Sequence, residues 1–215
     1  MVEPNTFTTA PIVLSLAFAA ALLAGFAVSV WLSSRQIRHV ARHRGSVPAA
    51  FAQTIALPAH QKAADYTVAK ARLGLIEIAV GVVVLLGWTL LGGLDALNQT
   101  LIAHMGGGML QQLALLGGFA LISGAIDLPL SWYQTFVLEA RFGFNKMTLG
   151  LWLSDLLKST AMGALIGLPI AAAILWLMGA TGPVWWLWAW ALWMGFNLLL
   201  LMIYPTFIAP LFNQF

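Results

Sequence analysis

Residues 184–203 read VWWLWAWALWMGFNLLLLMI, an apolar stretch without a single charged side chain. A helix of about 20 such residues is long enough to cross the hydrocarbon core of a bilayer, which is roughly 30 Å thick. Lipid offers no hydrogen-bond partner to an exposed backbone, so a lone stretch of this length crosses only as a helix. The sequence therefore predicts a transmembrane helix here.

Four further stretches are similarly long and mostly apolar, at residues 11–32, 73–91, 109–130 and 156–176, and the last three each contain one charged residue, Glu77, Asp127 and Lys158. Of the 215 residues, 61% are hydrophobic and 8% are charged, whereas soluble domains have about 45–50% and roughly 25%. This composition excludes an ordinary soluble enzyme, a disordered protein and a nucleic-acid-binding domain. We expect an all-α, polytopic membrane helix bundle with five transmembrane helices, formed as a single membrane domain over residues 1–215.

The basic residues are confined to the connections on one side of this predicted bundle. They are Arg35, Arg38, Arg42, Arg44, Lys62, Lys70, Arg72, Arg141, Lys146 and Lys158. The opposite side carries Glu3, Asp95 and His104 and no lysine or arginine. Because basic loops stay in the cytoplasm, we expect the amino terminus outside and the carboxyl terminus in the cytoplasm, in a bacterial inner membrane.

Two histidines, His39 and His43, have the i, i+4 spacing that zinc takes in the H-E-x-x-H motif of metalloproteases. That chemistry also needs a glutamate directly after the first histidine, and Val40 stands there. The neighbouring arginines would oppose a divalent cation. We therefore expect this segment to touch anionic lipid headgroups rather than a metal. The chain has no cysteine, which excludes thiolate ligands as well.

Polar side chains inside or beside the spans are further candidates for function. An unpaired carboxylate in hydrocarbon is costly, so such groups usually face a bundle interior or a wet cavity. Glu77, Asp127 and Asp155 allow two interpretations: pairing with a nearby base, as Glu77 with Arg72 about one turn earlier and Asp155 with Lys158, or the lining of a water-filled chamber. Asn197 in the fifth span could hydrogen-bond across helices, and a role in helix packing is favoured for it.

Glycine marks two other features. Phe142-Gly143-Phe144-Asn145 predicts a turn, with a helix resuming near Thr148. A GxxxG pattern at 163–167 either lets a neighbouring helix approach closely or reflects the general frequency of glycine in membrane helices. Both interpretations of the second pattern stay open at this point.

Four segments stand in a fixed order along the five spans. They are ADYTVAK at 64–70, EARFGFN followed by KMT at 139–148, the pair Asp155 and Lys158, and YPTFIAPLFN at 204–213. In this order and spacing they resemble the amino-terminal membrane region of the type I CAAX prenyl protease family, the a-factor-converting zinc metallopeptidases. The resemblance covers essentially the whole chain.

The resemblance implies a helical membrane barrel around a hydrated chamber, with a zinc-containing catalytic domain on its cytoplasmic side. It also implies cleavage of prenylated or otherwise membrane-associated peptides. The candidates for the chamber lining, or for structural polar roles, are Glu77, Asp127, Asp155, Lys158, Asn145 and Asn197.

The H-E-x-x-H motif of that family is absent from this chain. We therefore expect no catalytic residue and no metal ligand here, and zinc is implied only for a full-length relative. The uncharged end at 204–215 is typical of a segment that continues. Accordingly, we expect an inactive membrane half whose partners are the bilayer, a missing carboxy-terminal catalytic domain and a peptide substrate, with no nucleic acid.

Two other functions fit parts of the pattern. Five spans without a motif for chemistry also suit a non-catalytic scaffold or assembly module. A transporter would place the three acids along a path, but transporter folds often show internal symmetry and broken helices near the midplane. Acids near the ends of five spans fit a transporter poorly, so the protease-like membrane region is favoured.

Overall fold

The computed structural model describes residues 6–204, with side chains from Pro11 onward. Glu3 and the tail at 205–215 lie outside the described residues. The helices are α1 Thr6–His43, α2 Leu57–Thr89, α3 Gly93–Met105, α4 Met109–Tyr133, α5 Leu149–Ala180 and α6 Trp185–Ile203. A π-helical segment, Gln134–Glu139, continues α4, and the part of the chain that is described contains no β-strand.

Five helices are long and apolar enough to cross a membrane, which confirms the predicted all-α fold with five spans. They are Pro11–His43, Leu57–Thr89, Met109–Glu139, Leu149–Ala180 and Gly182–Ile203. Several continue well past the apolar stretches, because the alanine, lysine and arginine at their polar ends are good helix formers. The apolar stretch 73–91 instead runs past the end of α2, since Gly92 takes φ of 77° and turns the chain.

The helix α3 has no counterpart among the predicted spans, because it is short and carries polar residues. Asp95 lies in its first turn, where the helix dipole favours an acid. The Gln111 side chain of α4 is only 6% exposed and donates a 2.6 Å hydrogen bond to the Asn98 side chain of α3. This buried amide pair fixes α3 to the beginning of α4.

The described residues pack as two compact units. The first comprises residues up to Ala96 together with Ile122–Lys146, and the second comprises Leu97–Leu121 together with residues from Met147 onward. In the first unit, α1 packs along α2, and the π-helical segment also contacts α2. The Trp88 indole donates a 3.0 Å hydrogen bond to the Ser123 hydroxyl, which joins α2 to α4.

The buried apolar side chains of the described residues all lie in the first unit. They are Ala64 and Leu73 of α2, Leu138 of the π-helical segment, and Phe142 shortly after it. Lipid is as apolar as leucine, so helix contacts within hydrocarbon gain little hydrophobic free energy. These four side chains instead lie outside the apolar stretches 73–91 and 109–130 or at their edge. Close apolar packing there removes surface from water, so it gains more hydrophobic free energy.

In the second unit, α5 packs against α6. A groove of about 530 Å³ between them is lined by Gly163 and Gly167 of α5 and by Trp193 and Phe196 of α6. A Cβ added at either glycine would meet nothing within 4 Å. The close approach that a GxxxG pattern permits is therefore not made with α6, whose large aromatic side chains keep the backbones apart.

Candidate functional site beside the turn that follows the fourth helix

The site is built on the turn that ends the helical run after α4. Gly143 has φ of 74°, a left-handed conformation that glycine adopts without strain. Its N–H donates to the Ala140 carbonyl oxygen at 3.0 Å, and the Phe144 N–H donates to the Glu139 carbonyl oxygen at 2.9 Å. These two bonds form a Schellman motif, which satisfies carbonyls that a helix end would otherwise leave unpaired.

The next helix begins at a side-chain cap. The Thr148 hydroxyl oxygen accepts a 3.2 Å hydrogen bond from the Leu151 N–H, in the first turn of α5. The predicted glycine turn, with a helix resuming near Thr148, is thus confirmed.

Three rings pack around the turn and are termed the aromatic cluster: Tyr66 of α2, Phe142 and Phe144. The Tyr66 ring centroid lies 5.3 Å from that of Phe142 and 4.9 Å from that of Phe144, with interplanar angles of 71° and 74°. Such edge-to-face pairs are worth about 0.5–1.5 kcal/mol beyond the area they bury. Lys62 Nζ lies 5.6 Å from the Phe144 centroid and Lys70 Nζ 5.8 Å from the Tyr66 centroid. The cluster therefore brings the segments 64–70 and 139–145 together.

A bidentate ion pair ties the residue after α1 to α2. The Arg44 guanidinium donates from Nε to Asp65 Oδ1 at 2.7 Å and from Nη2 to Oδ2 at 2.9 Å. Both side chains are nearly half exposed, at 46% and 47%, so water and salt screen the attraction. The hydrogen bonds from the guanidinium to the Asp65 carboxylate raise the pKa of Arg44, which keeps this side chain charged.

A cleft of about 280 Å³ lies beside this ion pair and is termed the arginine cleft. Its charged walls are Arg44, Asp65, Arg72 and Arg141. The other walls are small apolar side chains of α1 and α2 and the Phe142 ring. Asp65 and Arg72 lie about two turns apart on α2, which places them on one helix face.

A longer hollow of about 490 Å³ adjoins the arginine cleft and is termed the apolar groove. It shares Arg72, Arg141 and Phe142 with the cleft. Its lining continues along two helices through Leu73 and Ile76 of α2 and Pro129 and Leu130 of α4. A polar cleft and an apolar groove thus meet at two arginines.

Positive charge dominates the arginine cleft, where three arginines face one aspartate. Asp65 neutralises Arg44, whereas Arg72 and Arg141 form no ion pair within the described residues. The Arg141 guanidinium carbon lies 5.8 Å from the Phe142 centroid. A guanidinium presents a planar fork of donors that matches carboxylate and phosphate oxygens, so the arrangement suits an anionic group.

Residues 36–214 match the family described as CAAX prenyl protease N-terminal, five membrane helices. The chain belongs to this family.

The relatives of this chain are longer proteins, and only part of each one matches it. The human CAAX prenyl protease 1 homolog is 30% identical over 212 residues, which cover 92% of this chain and 44% of the relative. The Arabidopsis thaliana homolog is 39% identical over 123 residues, which cover 57% of this chain and 27% of the relative. The crystal structure of S. mikatae Ste24p matches with a TM-score of 0.83 and 29% identity, over 93% of this chain and 47% of that one. This member of the CAAX prenyl protease N-terminal family spans less than half the length of these relatives.

The two acids in the middle spans of this family member lie on exposed surfaces. Glu77 of α2 and Asp127 of α4 make no ion pair or hydrogen bond with any residue that the structure describes. Glu77 does not pair with Arg72, because a separation of five residues on a helix points two side chains in different directions. Neither acid lines the arginine cleft or the apolar groove.

The remaining predicted residues make local contacts. On α5, Lys158 Nζ lies 3.8 Å from Asp155 Oδ1. The Asn145 backbone N–H donates at 3.3 Å to a carbonyl of the π-helical segment. The Asn197 side chain, which could have bonded across helices, donates at 2.7 Å to the Trp193 carbonyl oxygen of its own helix. That carbonyl is one turn away, within direct reach of the amide.

Three histidines of this family member, His39, His43 and His60, lie at the end of α1 or bond to it. The His43 Nδ1–H donates to the His39 carbonyl oxygen at 2.8 Å, and the His60 Nε2–H donates to the His43 carbonyl oxygen at 3.0 Å. The second bond adds to a 3.4 Å hydrogen bond that the Ser46 N–H donates to the same His43 carbonyl oxygen. Within the described residues, no group of three or more His, Cys, Asp or Glu side chains is placed to hold a metal ion. The donors that are described do not fit a zinc site.

The arginine cleft is the part of the site that sequence reasoning missed. A signal was present, because Asp65, Ala69 and Arg72 follow the i, i+4, i+7 spacing of one helix face. The position of Arg141 against that face depends on the turn at Gly143 and on the π-helical segment before it. Neither the π-helical geometry nor the partner helix can be inferred from spacing along the chain.

Proposed function

We propose that this chain forms the membrane-embedded amino-terminal half of a zinc metalloendopeptidase of the CAAX prenyl protease type, which cleaves prenylated, membrane-associated peptides. The observation that carries the proposal is the family match over residues 36–214 on a chain with five apolar helices. Relatives that contain this region carry the name CAAX prenyl protease 1 homolog. The proposed role of this region is to hold substrate in the membrane.

The chain is proposed to be inactive alone. Its sequence contains no H-E-x-x-H, and the residues with a described structure offer no cluster for a metal ion. Zinc, which supplies the activated water of such proteases, would be held by the carboxy-terminal half. Catalysis would then require both halves.

The proposed topology places the basic connections in the cytoplasm. The lysines and arginines lie at 35–72, between the first and second spans, and at 141–158, from the end of the third span to the start of the fourth. The other side carries no lysine or arginine. The amino terminus is then outside a bacterial inner membrane and the carboxyl terminus is cytoplasmic. A catalytic half that follows residue 215 would begin on the cytoplasmic side.

We also propose that the chain is one membrane domain with a polar chamber. Its candidate lining is Glu77, Asp127, Asp155, Lys158, Asn145 and Asn197. The exposure of Glu77 and Asp127, without a partner among the described residues, supports contact with water rather than with protein. A carboxylate in that position is costly unless water reaches it.

The test is complementation between two halves. The purified chain is incubated with zinc and a farnesylated reporter peptide, first alone and then after co-expression with a carboxy-terminal half of a relative that carries H-E-x-x-H. We expect no cleavage from the chain alone and chelator-sensitive cleavage from the pair. The matched control replaces the glutamate of that motif by glutamine, which should abolish cleavage without preventing assembly.

Two results would contradict the proposal. Chelator-sensitive proteolysis by the chain alone would refute its inactivity. A co-purified, zinc-loaded pair that leaves every farnesylated peptide intact would refute the protease assignment and favour the scaffold.

A further inference from the structure

Two hollows with opposite chemistry are continuous in the first unit. The arginine cleft carries charged walls, and the apolar groove is lined mainly by aliphatic side chains. They share Arg72 and Arg141, so these arginines stand at the junction of the two. Their volumes, about 280 and 490 Å³, are of the order found for small-molecule sites. A ligand that fills both is anionic at one end and hydrocarbon at the other.

The junction is charged in a way that the chain itself does not neutralise. Arg44 is engaged by Asp65 through two hydrogen bonds. Arg72 and Arg141 form no ion pair in the described part of the chain, and Arg141 feels the Asp65 carboxylate only through space. Hydrogen bonds from a guanidinium to phosphate oxygens are charge-assisted and frequently bidentate, and two arginines that line one cleft suit one phosphate group.

The junction also lies near the ends of two predicted apolar stretches. Arg72 directly precedes the apolar stretch 73–91, and the groove descends from it along Leu73 and Ile76. On α4, Leu130 ends the apolar stretch 109–130 and also lines the groove. A bilayer with its hydrocarbon against these stretches therefore places its phosphates beside the two arginines.

We propose that the arginine cleft and the apolar groove bind one anionic phospholipid of the surrounding bilayer. Its phosphate lies between Arg72 and Arg141, and one acyl chain follows the groove past Leu73 and Ile76. Basic pockets between membrane helices bind lipid headgroups in this manner. The site is independent of the proposed protease function, because it requires neither zinc nor a peptide. Lipid is also the anionic amphiphile that surrounds these helices in every state of the protein.

The experiment measures lipid retained by the full chain in detergent, by native mass spectrometry after exchange with phosphatidylglycerol or phosphatidylcholine. The charge variant is Arg72→Gln with Arg141→Gln. Its matched control, Arg35→Gln with Arg38→Gln, removes the same charge from α1, where neither residue lines the cleft. A second variant, Ile76→Trp, fills the groove and keeps both arginines. Its control, Ile122→Trp, adds the same bulk at an exposed position of α4 outside the groove.

We expect the chain to retain phosphatidylglycerol in preference to phosphatidylcholine. Each charge-assisted hydrogen bond to the phosphate contributes about tenfold, so the double charge variant should retain roughly 100-fold less phosphatidylglycerol. The variant Ile76→Trp should also lose it, while both controls keep it. Circular dichroism and size-exclusion elution show whether each variant is folded, and the groove variant carries the test if the charge variant is not.

Three outcomes would overturn the proposal. Equal losses in the charge variant and its control would mean general surface attraction. Displacement of the lipid by excess inorganic phosphate would mean an anion site without a role for the groove. Arginine-dependent binding of a farnesylated peptide, with no preference for phosphatidylglycerol, would assign the cleft to peptide instead.

Discussion

Replacing Gly143 by alanine should destabilise the turn after α4. The residue holds φ of 74° within the Schellman motif. A residue with a Cβ is less stable by about 1–2 kcal/mol in that backbone conformation. The added Cβ would meet only Lys62 Nζ, at 3.7 Å, which is an ordinary contact. Alanine also restricts the unfolded chain, which offsets about 0.4–1 kcal/mol. The expected net loss is about 1 kcal/mol.

Two further variants separate backbone conformation from other effects. Asparagine tolerates the left-handed region better than alanine, so Gly143→Asn should lose only about half as much. Gly74 lies within α2, and a Cβ added there would meet nothing within 4 Å. Since alanine is the better helix former by about 0.5–1 kcal/mol, Gly74→Ala should raise the free energy of unfolding, whereas Gly143→Ala should lower it.

The assay is unfolding of the purified chain in mixed micelles with increasing denaturing detergent, followed by tryptophan fluorescence. The expected order of stability is Gly74→Ala, wild type, Gly143→Asn and Gly143→Ala. If Gly143→Ala unfolds with the wild type, or if Gly143→Asn is less stable than Gly143→Ala, the positive φ does not govern the turn and the reasoning fails.

Three other substitutions test single interactions by the same unfolding assay. Gln111→Leu should lower the free energy of unfolding by about 1–2 kcal/mol, because it removes the hydrogen bond to Asn98 and leaves that amide unpaired. The control is Gln112→Leu, at an exposed neighbouring position, which should change stability little. Thr148→Ala should lose about 1 kcal/mol through the missing cap of α5, while Thr148→Ser restores it, and equal stability of the two would contradict the cap. Asp65→Asn should cause a small loss that disappears at high salt, because the pair with Arg44 is half exposed and screened; a loss that persists in high salt would show that packing, rather than charge, is responsible.

The membrane helices were predictable because lipid leaves the chain no alternative. A charge-free stretch such as 184–203 has to be helical in a bilayer, and α6 covers it. The turn at Gly143 was predictable for a comparable reason, since few other residues adopt its conformation. The helix α3 was missed because it is short and partly polar, and hydropathy reports burial in lipid rather than helix formation.

Contacts between distant residues could not be derived from pattern alone. Arg44 and Asp65 lie on opposite sides of a connection, and which arginine meets the aspartate depends on where α1 ends. The position of the Phe142 side chain depends on the π-helical segment, because π-helical geometry rotates the following residues relative to a regular α-helix. The family resemblance placed both segments in the right region of the sequence, but their contacts required the fold.

The ion pair between α1 and α2 bears on how the protein is made. Arg44 and Asp65 are 21 positions apart along the chain, so the segment that must close to join them is short. During synthesis, α1 and α2 can enter the membrane together and be joined by this ion pair before the ribosome has reached Phe142. The Phe142 ring then packs against a hairpin of α1 and α2 that has already formed. The order of assembly therefore follows the order of translation.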